Sequence, residues 1–163
     1  MMKENEFKPL LEEQISDAYC IESESKKVIP KLQEAATDKI LERTLEAQFI
    51  TSKSNIEQLK KVGQLAEIDV ATANCDAIRV VVSRAQQYLD KGSVNDAGIL
   101  SHIERINNYK SAIYNSAIRF AKEVNYPGIH SELQVLANHT YNIIDRLGRL
   151  NNDQSDERAI RNL

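Results

Sequence analysis

Apolar residues recur every three or four positions along most of the chain, which is the spacing of an amphipathic helix. In the first segment they fall at Phe7, Leu11, Ile15, Ala18, Ile29, Leu32 and Ala36. The pattern continues past Pro30, so we expect this proline to bend the helix and not to end it.

Two further segments follow with the same spacing. A second helix begins at Thr37 or Asp38, either of which can cap it, and fades near Gly63. A third and shorter helix is predicted from Asp69 to Leu89. Its apolar face is expected to carry Ala73, Ala77, Val80, Val81 and Ala85.

The fourth helix is expected to begin with a capping pair, Ser93 and Asp96, and to run to Val124 before the turn residues at 125–128. A fifth starts near Ser131. Its inner face is predicted to carry Leu133, Leu136, Thr140, Ile144 and Leu147. Residues 151–163 lack sustained periodicity, so we expect a bundle over residues 1–150 and a disordered tail over 151–163.

Four long amphipathic segments and one shorter segment predict an all-α fold, a four-helix bundle with an additional crossover helix of the ferritin-like kind. The length of 163 residues and an apolar content of 42% suit one domain with one core. No internal repeat or second domain is evident.

Charge and composition argue against nucleic-acid and membrane partners. The 24 acidic and 21 basic residues give a net charge of −3, which attracts neither nucleic acid nor an anionic membrane surface. No apolar run approaches the roughly 20 residues of a membrane span. We therefore expect a cytoplasmic protein. Cys20 and Cys75 could in principle pair, but a reducing cytosol favours two buried, unpaired cysteines.

Each long helix turns polar near the middle of its apolar face. The polar positions are Glu22, Ser52, Asn55, Asn107, Lys110 and Thr140. A single charged residue on an inner face is usually a snorkelling side chain or an error of one position in the assignment. Four coincident interruptions favour a buried polar layer. Because an unpaired buried charge costs several kcal/mol, we expect Glu22 and Lys110 to form a pair.

The segment ISDAYCIESESKKVIPKLQEAA at residues 15–36 resembles the first-helix signature of the YciE/YciF family of ferritin-like bundles. The matching residues are Asp17, Tyr19, Glu22, Pro30, Lys31, Leu32, Ala35 and Ala36. The similarity continues through NCDAI at 74–78 and DAGILSHIERINNYKSAIYNSA at 96–117, and covers about residues 9 to 147. It implies a bundle built around two metal ions held by carboxylates and histidines.

This chain departs from that implied ligand set. The positions that align with the family's carboxylates and histidine hold Ile50, Thr51, Asn107, Asn108, Lys110, Ala137 and Asn138. Only Glu22 and His139 remain as weak remnants, and the ammonium of Lys110 would repel divalent cations. We therefore expect no metal and no cofactor. The histidines, His102, His130 and His139, are predicted to be solvated or to cap helices.

Two functions remain open. The first is a non-catalytic, metal-free structural or protein-interaction module, for which the resemblance allows a role in stress. It would form a homodimer through Ile78, Val81 and Leu89, and its protein partners are not identified by the sequence. The alternative is a divergent ferroxidase or oxidase with one metal held by Glu22, His139 and either Glu46 or Glu104.

Overall fold

Five α-helices account for most of the residues that the computed structural model describes, which are 4–71 and 74–161. They are α1 Glu4–Ala35, α2 Lys39–Leu65, α3 Asp76–Asp90, α4 Asp96–Glu123 and α5 Pro127–Arg161. These residues contain no β-strand. The predicted all-α class, with four long helices and one shorter helix, is confirmed.

The four long helices form a ring around the core. Helix α1 packs against α2 and α4, and α5 closes the ring by packing against the same two helices. Helix α3 lies outside the ring, against α1 and α4. The apolar faces predicted from the sequence for α1 and α2 point inward, with Ile15, Ile29, Leu41 and Leu45 fully buried.

The direction of the helices explains why α3 is needed. Short turns make α1 and α2 antiparallel, and likewise α4 and α5. Asp96 at the start of α4 contacts the turn between α1 and α2, so α2 and α4 begin at the same end. The chain must therefore return along the bundle between them. Helix α3 covers roughly 22 Å of that path at about 1.5 Å per residue.

Side-chain caps fix the start of two helices. Of the two predicted candidates, Thr37 and Asp38, it is Asp38 that caps α2: its Oδ1 accepts hydrogen bonds from the amides of Ile40 and Leu41 at 2.8 and 2.9 Å. The predicted Ser93 cap of α4 is wrong. Asn95 caps α4 through the amide of Gly98, because it directly precedes the first helical residue whereas Ser93 lies too early. Asp96 instead accepts hydrogen bonds from the α1–α2 turn.

The structure corrects both the start and the buried face of α3. The helix begins at Asp76, since the chain after α2 first passes through a turn in which Glu67 has a φ of 58°. Its buried residues are Ile78, Val82 and Ala85, and Val80 is 61% exposed. Apolar residues occupy three consecutive positions, so spacing alone did not decide which of them faces inward. Ala73 lies outside the described residues.

The dimer face predicted on α3 packs largely against the core of its own chain. Ile78 is 2% exposed in the single chain, where it belongs to the core. Val81 and Leu89 are partly buried against the same core. The face Ile78, Val81 and Leu89 is therefore largely used within the chain.

Helix α5 is longer than predicted at both ends. It begins at Pro127, a residue suited to the first turn because its missing N–H needs no partner there. Ile143, not Ile144, is buried on its inner face. The helix continues to Arg161, although a disordered tail was expected from residue 151. An established helix extends by one hydrogen bond per residue, so it does not need an apolar face to continue. Residues 162–163 lie outside the described part of the chain.

The two cysteines form a disulfide, so the prediction of unpaired thiols is wrong. Cys20 on α1 and Cys75 at the start of α3 have Cα atoms 6.3 Å apart. Their separation of 55 residues gave no sign of contact, and only the position of α3 against α1 brings them together. None of the described helices has an apolar stretch long enough to cross a membrane.

We expect the disulfide to stabilise the fold by closing a loop between α1 and α3. Its loss should lower the free energy of unfolding by up to about 4 kcal/mol, the chain-entropy value for a loop of this length. Urea unfolding with and without reductant measures the effect. The C20A/C75A double variant is the control, because reductant should leave its stability unchanged. Equal stability of the wild type in both conditions would contradict the prediction.

Candidate functional site

Glu22 and Lys110 form an ion pair inside the helix ring. The Lys110 Nζ lies 3.1 Å from the Glu22 Oε2, and their side chains are 3% and 0% exposed. The sequence predicted this pair, and the structure contains it. Removing two charges from water costs several kcal/mol per ion, so the pair is stable only if the remaining polar atoms are also bonded.

The second oxygen of Glu22 receives hydrogen bonds from two helices. Its Oε1 accepts from the Tyr114 hydroxyl at 2.9 Å and from the Asn55 Nδ2 at 3.1 Å. Tyr114 follows Lys110 by four residues on α4, so both side chains lie on the same helix face. The carboxylate thus has partners on α2 and α4.

Lys110 and its neighbours extend the layer across the ring. The Lys110 Nζ lies 3.5 Å from the Ser52 Oγ on α2. One turn earlier on α4, the Asn107 Nδ2 donates to the Gln48 Oε1 at 3.0 Å and to the Ile103 carbonyl at 2.9 Å. The steps of three and four residues on both helices place all these groups toward the interior.

The arrangement at α5 differs from the prediction. His139 was expected to be solvated or to cap a helix, but its Nδ1 lies 3.0 Å from the Asn55 Oδ1. Because the Asn55 Nδ2 donates to Glu22, its Oδ1 faces the imidazole, and the His139 Nδ1 must carry the proton. Thr140 is buried, but its hydroxyl donates to the Leu136 carbonyl of its own helix and does not join the ion pair.

We call this set of side chains the polar layer. It consists of Glu22, Gln48, Ser52, Asn55, Asn107, Lys110, Tyr114 and His139. Tyr114 and Gln48 are not among the six positions predicted from the sequence for this layer. The signal for both was spacing, because each lies four residues from a predicted member, Lys110 and Ser52.

The electrostatics of the polar layer keep Tyr114 neutral. Complete burial, the negative charge of Glu22 and their hydrogen bond raise the pKa of Tyr114 well above its ordinary value. The hydroxyl therefore remains a hydrogen-bond donor. The Gln48 Nε2 is buried and has no hydrogen-bond partner among the described residues, a cost of about 1–3 kcal/mol for such a group.

The side chains present do not fit the two-metal site that the family resemblance implied. Both Glu22 oxygens are bonded to protein groups, and the ammonium of Lys110 lies where a cation would bind the carboxylate. The described residues contain no group of three or more histidine, cysteine, aspartate or glutamate side chains able to hold a metal.

The same finding counts against the single-metal arrangement. Glu46 is exposed on α2. Glu104 is partly buried, and burial raises the pKa of its carboxyl. Neither joins Glu22 and His139 in a metal-binding group. The structure also places Ser52, and not the half-buried Thr51, beside Lys110.

Comparison with known proteins assigns the chain to a family. Residues 6–160 match the family described as "Domain of unknown function (DUF892)". The chain belongs to the DUF892 family. Protein YciF of Escherichia coli K12 is 21% identical over 116 residues, which cover 69% of this chain and 70% of YciF. The similarity to YciF seen in the sequence is thereby confirmed.

Two solved structures share the fold of this DUF892 chain. The crystal structure of the E. coli stress protein YciF has a TM-score of 0.82 and 18% identity, covering 88% of this chain and 93% of that one. YcfI of Rhodopseudomonas palustris, provisionally described as a structural protein, has a TM-score of 0.79 and 24% identity. That match covers 87% of this chain and 92% of YcfI. The chain is therefore a helical bundle of the YciF type.

Replacing Lys110 tests the ion pair in this DUF892 chain. Lys110→Met should leave Glu22 buried and uncompensated, and lower the free energy of unfolding by about 3–5 kcal/mol in urea titrations. Adding Glu22→Gln should recover part of the loss, because the unpaired charge is removed. Lys61→Met on the exposed face of α2 is the control. A small effect of Lys110→Met, equal to that of the control, would show that the pair is not buried in solution.

The raised pKa of Tyr114 predicts a loss of stability at alkaline pH. The unfolded chain releases the Tyr114 proton near the ordinary pKa of 10.0, whereas the folded protein retains it. The contribution of Tyr114 to the free energy of unfolding is thus complete below about pH 10. Above this pH it falls by about 1.4 kcal/mol per pH unit until the pKa of Tyr114 in the folded protein is reached. Urea unfolding at several pH values measures this slope. Tyr114→Phe should show a shallower slope, and identical slopes would refute the assignment.

Proposed function

We propose that this DUF892 chain is a non-catalytic, metal-free bundle of the ferritin-like class that acts as a structural or protein-interaction module. The observation that carries the proposal is the ion pair between Glu22 and Lys110. In this interpretation the ammonium of Lys110 replaces the positive charge that metal ions supply in ferritin-like bundles. The charge is covalently attached to α4, so it cannot dissociate or change its oxidation state.

The hydrogen bonds around Glu22 support this interpretation. Tyr114 and Asn55 occupy one carboxylate oxygen, and Lys110 occupies the other. A redox or hydrolytic metal centre needs an open coordination position for substrate or water. A carboxylate with three protein donors, one of which is the Lys110 cation, offers none unless those donors are displaced.

The descriptions of the relatives agree with a structural role. YcfI is provisionally described as a structural protein, and YciF is described as a stress protein. We extend both descriptions to this chain as part of the proposal, with no nucleic-acid or membrane partner. The cytoplasmic location also belongs to the proposal, and it requires the buried Cys20–Cys75 disulfide to persist in a reducing compartment, where disulfides are rare. Self-association as a homodimer also belongs to the proposal. Exposed apolar side chains such as Ile50, Val80 and Tyr141 are available for contacts between chains.

Restoring metal ligands tests whether the polar layer occupies the position of a metal site. In ferritin-like di-metal bundles, one glutamate comes from each of two helices and a Glu-x-x-His pair from each of the other two. In this proposal Glu22, Lys110, the Ser52 and Asn55 pair, and His139 correspond to those ligands. The contacts of Ser52 and Asn55 with Lys110 and Glu22 favour them over Ile50 and Thr51, which the family resemblance aligned there. The variant S52E/N55H/K110E should therefore bind zinc or manganese in calorimetric titrations, whereas the wild type should not.

The matched control is S52Q/N55H/K110Q, which has similar volumes but lacks the two added carboxylates. It should fold, as judged by circular dichroism, and bind metal weakly. Elemental analysis of the wild type, purified without chelator and then offered iron, manganese and zinc, completes the experiment. Tightly held stoichiometric metal in the wild type would refute the proposed function. A folded S52E/N55H/K110E variant without affinity for metal would refute the positional correspondence.

A further inference from the structure

A groove between α1 and α3 is positively charged on a chain whose net charge is −3. Its volume is about 280 Å³. Lys27 and Lys31 line it from α1 and Arg79 from α3, and Glu24 is the one acidic residue in its lining. The groove lies on the outer side of α1 and is separate from the polar layer inside the ring.

The positive charge of the groove is poorly compensated. The Glu24 Oε1 lies 3.0 Å from the Lys27 Nζ and 3.7 Å from the Arg79 Nε, so one oxygen serves two cations. Arg79 also contacts the exposed Asp76 at 3.4 Å. Such exposed pairs contribute little and are readily exchanged for other anions.

Lys31 differs from the other two cations. Its Nζ donates to the neutral Gln86 Oε1 at 2.8 Å. Among the described residues, no carboxylate lies within ion-pair distance of Lys31. Lys31 therefore has a full positive charge available for an anion in the groove.

The walls of the groove are held together without a ligand. The disulfide between Cys20 and Cys75 joins α1 to the start of α3, and the Lys31–Gln86 hydrogen bond joins the same helices farther along. The buried side chains of Val28 and Val82 form an apolar floor. A preformed site loses less conformational entropy on binding than a flexible one.

We propose that this groove binds a small oxyanion, either a phosphate ester or a polycarboxylate. The volume lies just below the range of roughly 300–1,000 Å³ typical of pockets for drug-sized ligands, so a small metabolite is the appropriate size. The anionic oxygens contact Lys31 and Arg79, and the carbon part of the ligand covers Val28 and Val82. This binding function is independent of the role proposed for the polar layer.

Titrations with inorganic phosphate and with citrate, followed by ¹⁵N–¹H NMR, test the site. Sodium chloride at matched ionic strength is the reference for general salt effects. We expect saturable shifts at residues of α1 and α3 for at least one of the two anions. Phosphate binding alone would assign the groove to ligands that carry a phosphate group, and citrate binding alone to polycarboxylates. The absence of saturable binding by both would overturn the proposal.

Variants separate a specific site from general surface charge. Lys31→Met and Arg79→Met should each weaken binding about tenfold, the equivalent of one charge-assisted hydrogen bond. Glu24→Gln should strengthen binding, because it removes the carboxylate that competes for Lys27 and Arg79. Lys60→Met on α2 has the same charge change outside the groove and should have no effect. A loss with Lys60→Met equal to that with Lys31→Met would overturn the proposal.

Discussion

The ion pair between Glu22 and Lys110 constrains three of the four helices in the ring. Apolar faces alone leave the register of neighbouring helices loosely specified, because a core tolerates the exchange of one aliphatic contact for another of similar volume. The carboxylate of Glu22 does not allow this, since its donors come from Asn55 on α2 and from Lys110 and Tyr114 on α4. A shift by one turn would leave two charges buried without partners. We infer that the pair selects one register for α1, α2 and α4, the use best attested for buried polar groups.

The pair also explains which parts of the structure the sequence could predict. The long helices were predictable because their apolar spacing repeats over many turns. The contact between Glu22 and Lys110 was predictable because buried opposite charges have few alternatives to each other. The hydrogen bond of His139 was missed because its partner Asn55 lies 84 residues away and an amide carries no charge that requires a partner. A neutral hydrogen bond between distant residues leaves no periodic signal in one sequence.

The position of helix α3 could not be predicted from the sequence. The helix is short, three consecutive valines span its faces, and it packs outside the ring, so the sequence predicted neither its start nor its buried side. The disulfide between Cys20 and Cys75 was missed because a reducing cytoplasm was expected to keep the thiols unpaired, and because the contact depends on where α3 lies. The cap at Asn95 was missed because several polar residues before α4 were equally suitable. Local chemistry limited these features to a few alternatives, and tertiary contacts selected among them.

The position of α3 follows from the same topology that places the ion pair. Because α2 and α4 start at one end of the bundle, the connection between them must cover the outside of α1 and α4. This crossover creates a surface that a simple up-and-down bundle lacks. Inside the ring, the charges of Glu22 and Lys110 cancel and the carboxylate is fully bonded, so the interior offers little to a ligand. Lys31 and Arg79 lie on the two walls of the crossover groove, and their charges are accessible. A chain that neutralises its interior in this way can still recognise small anions on its outer surface.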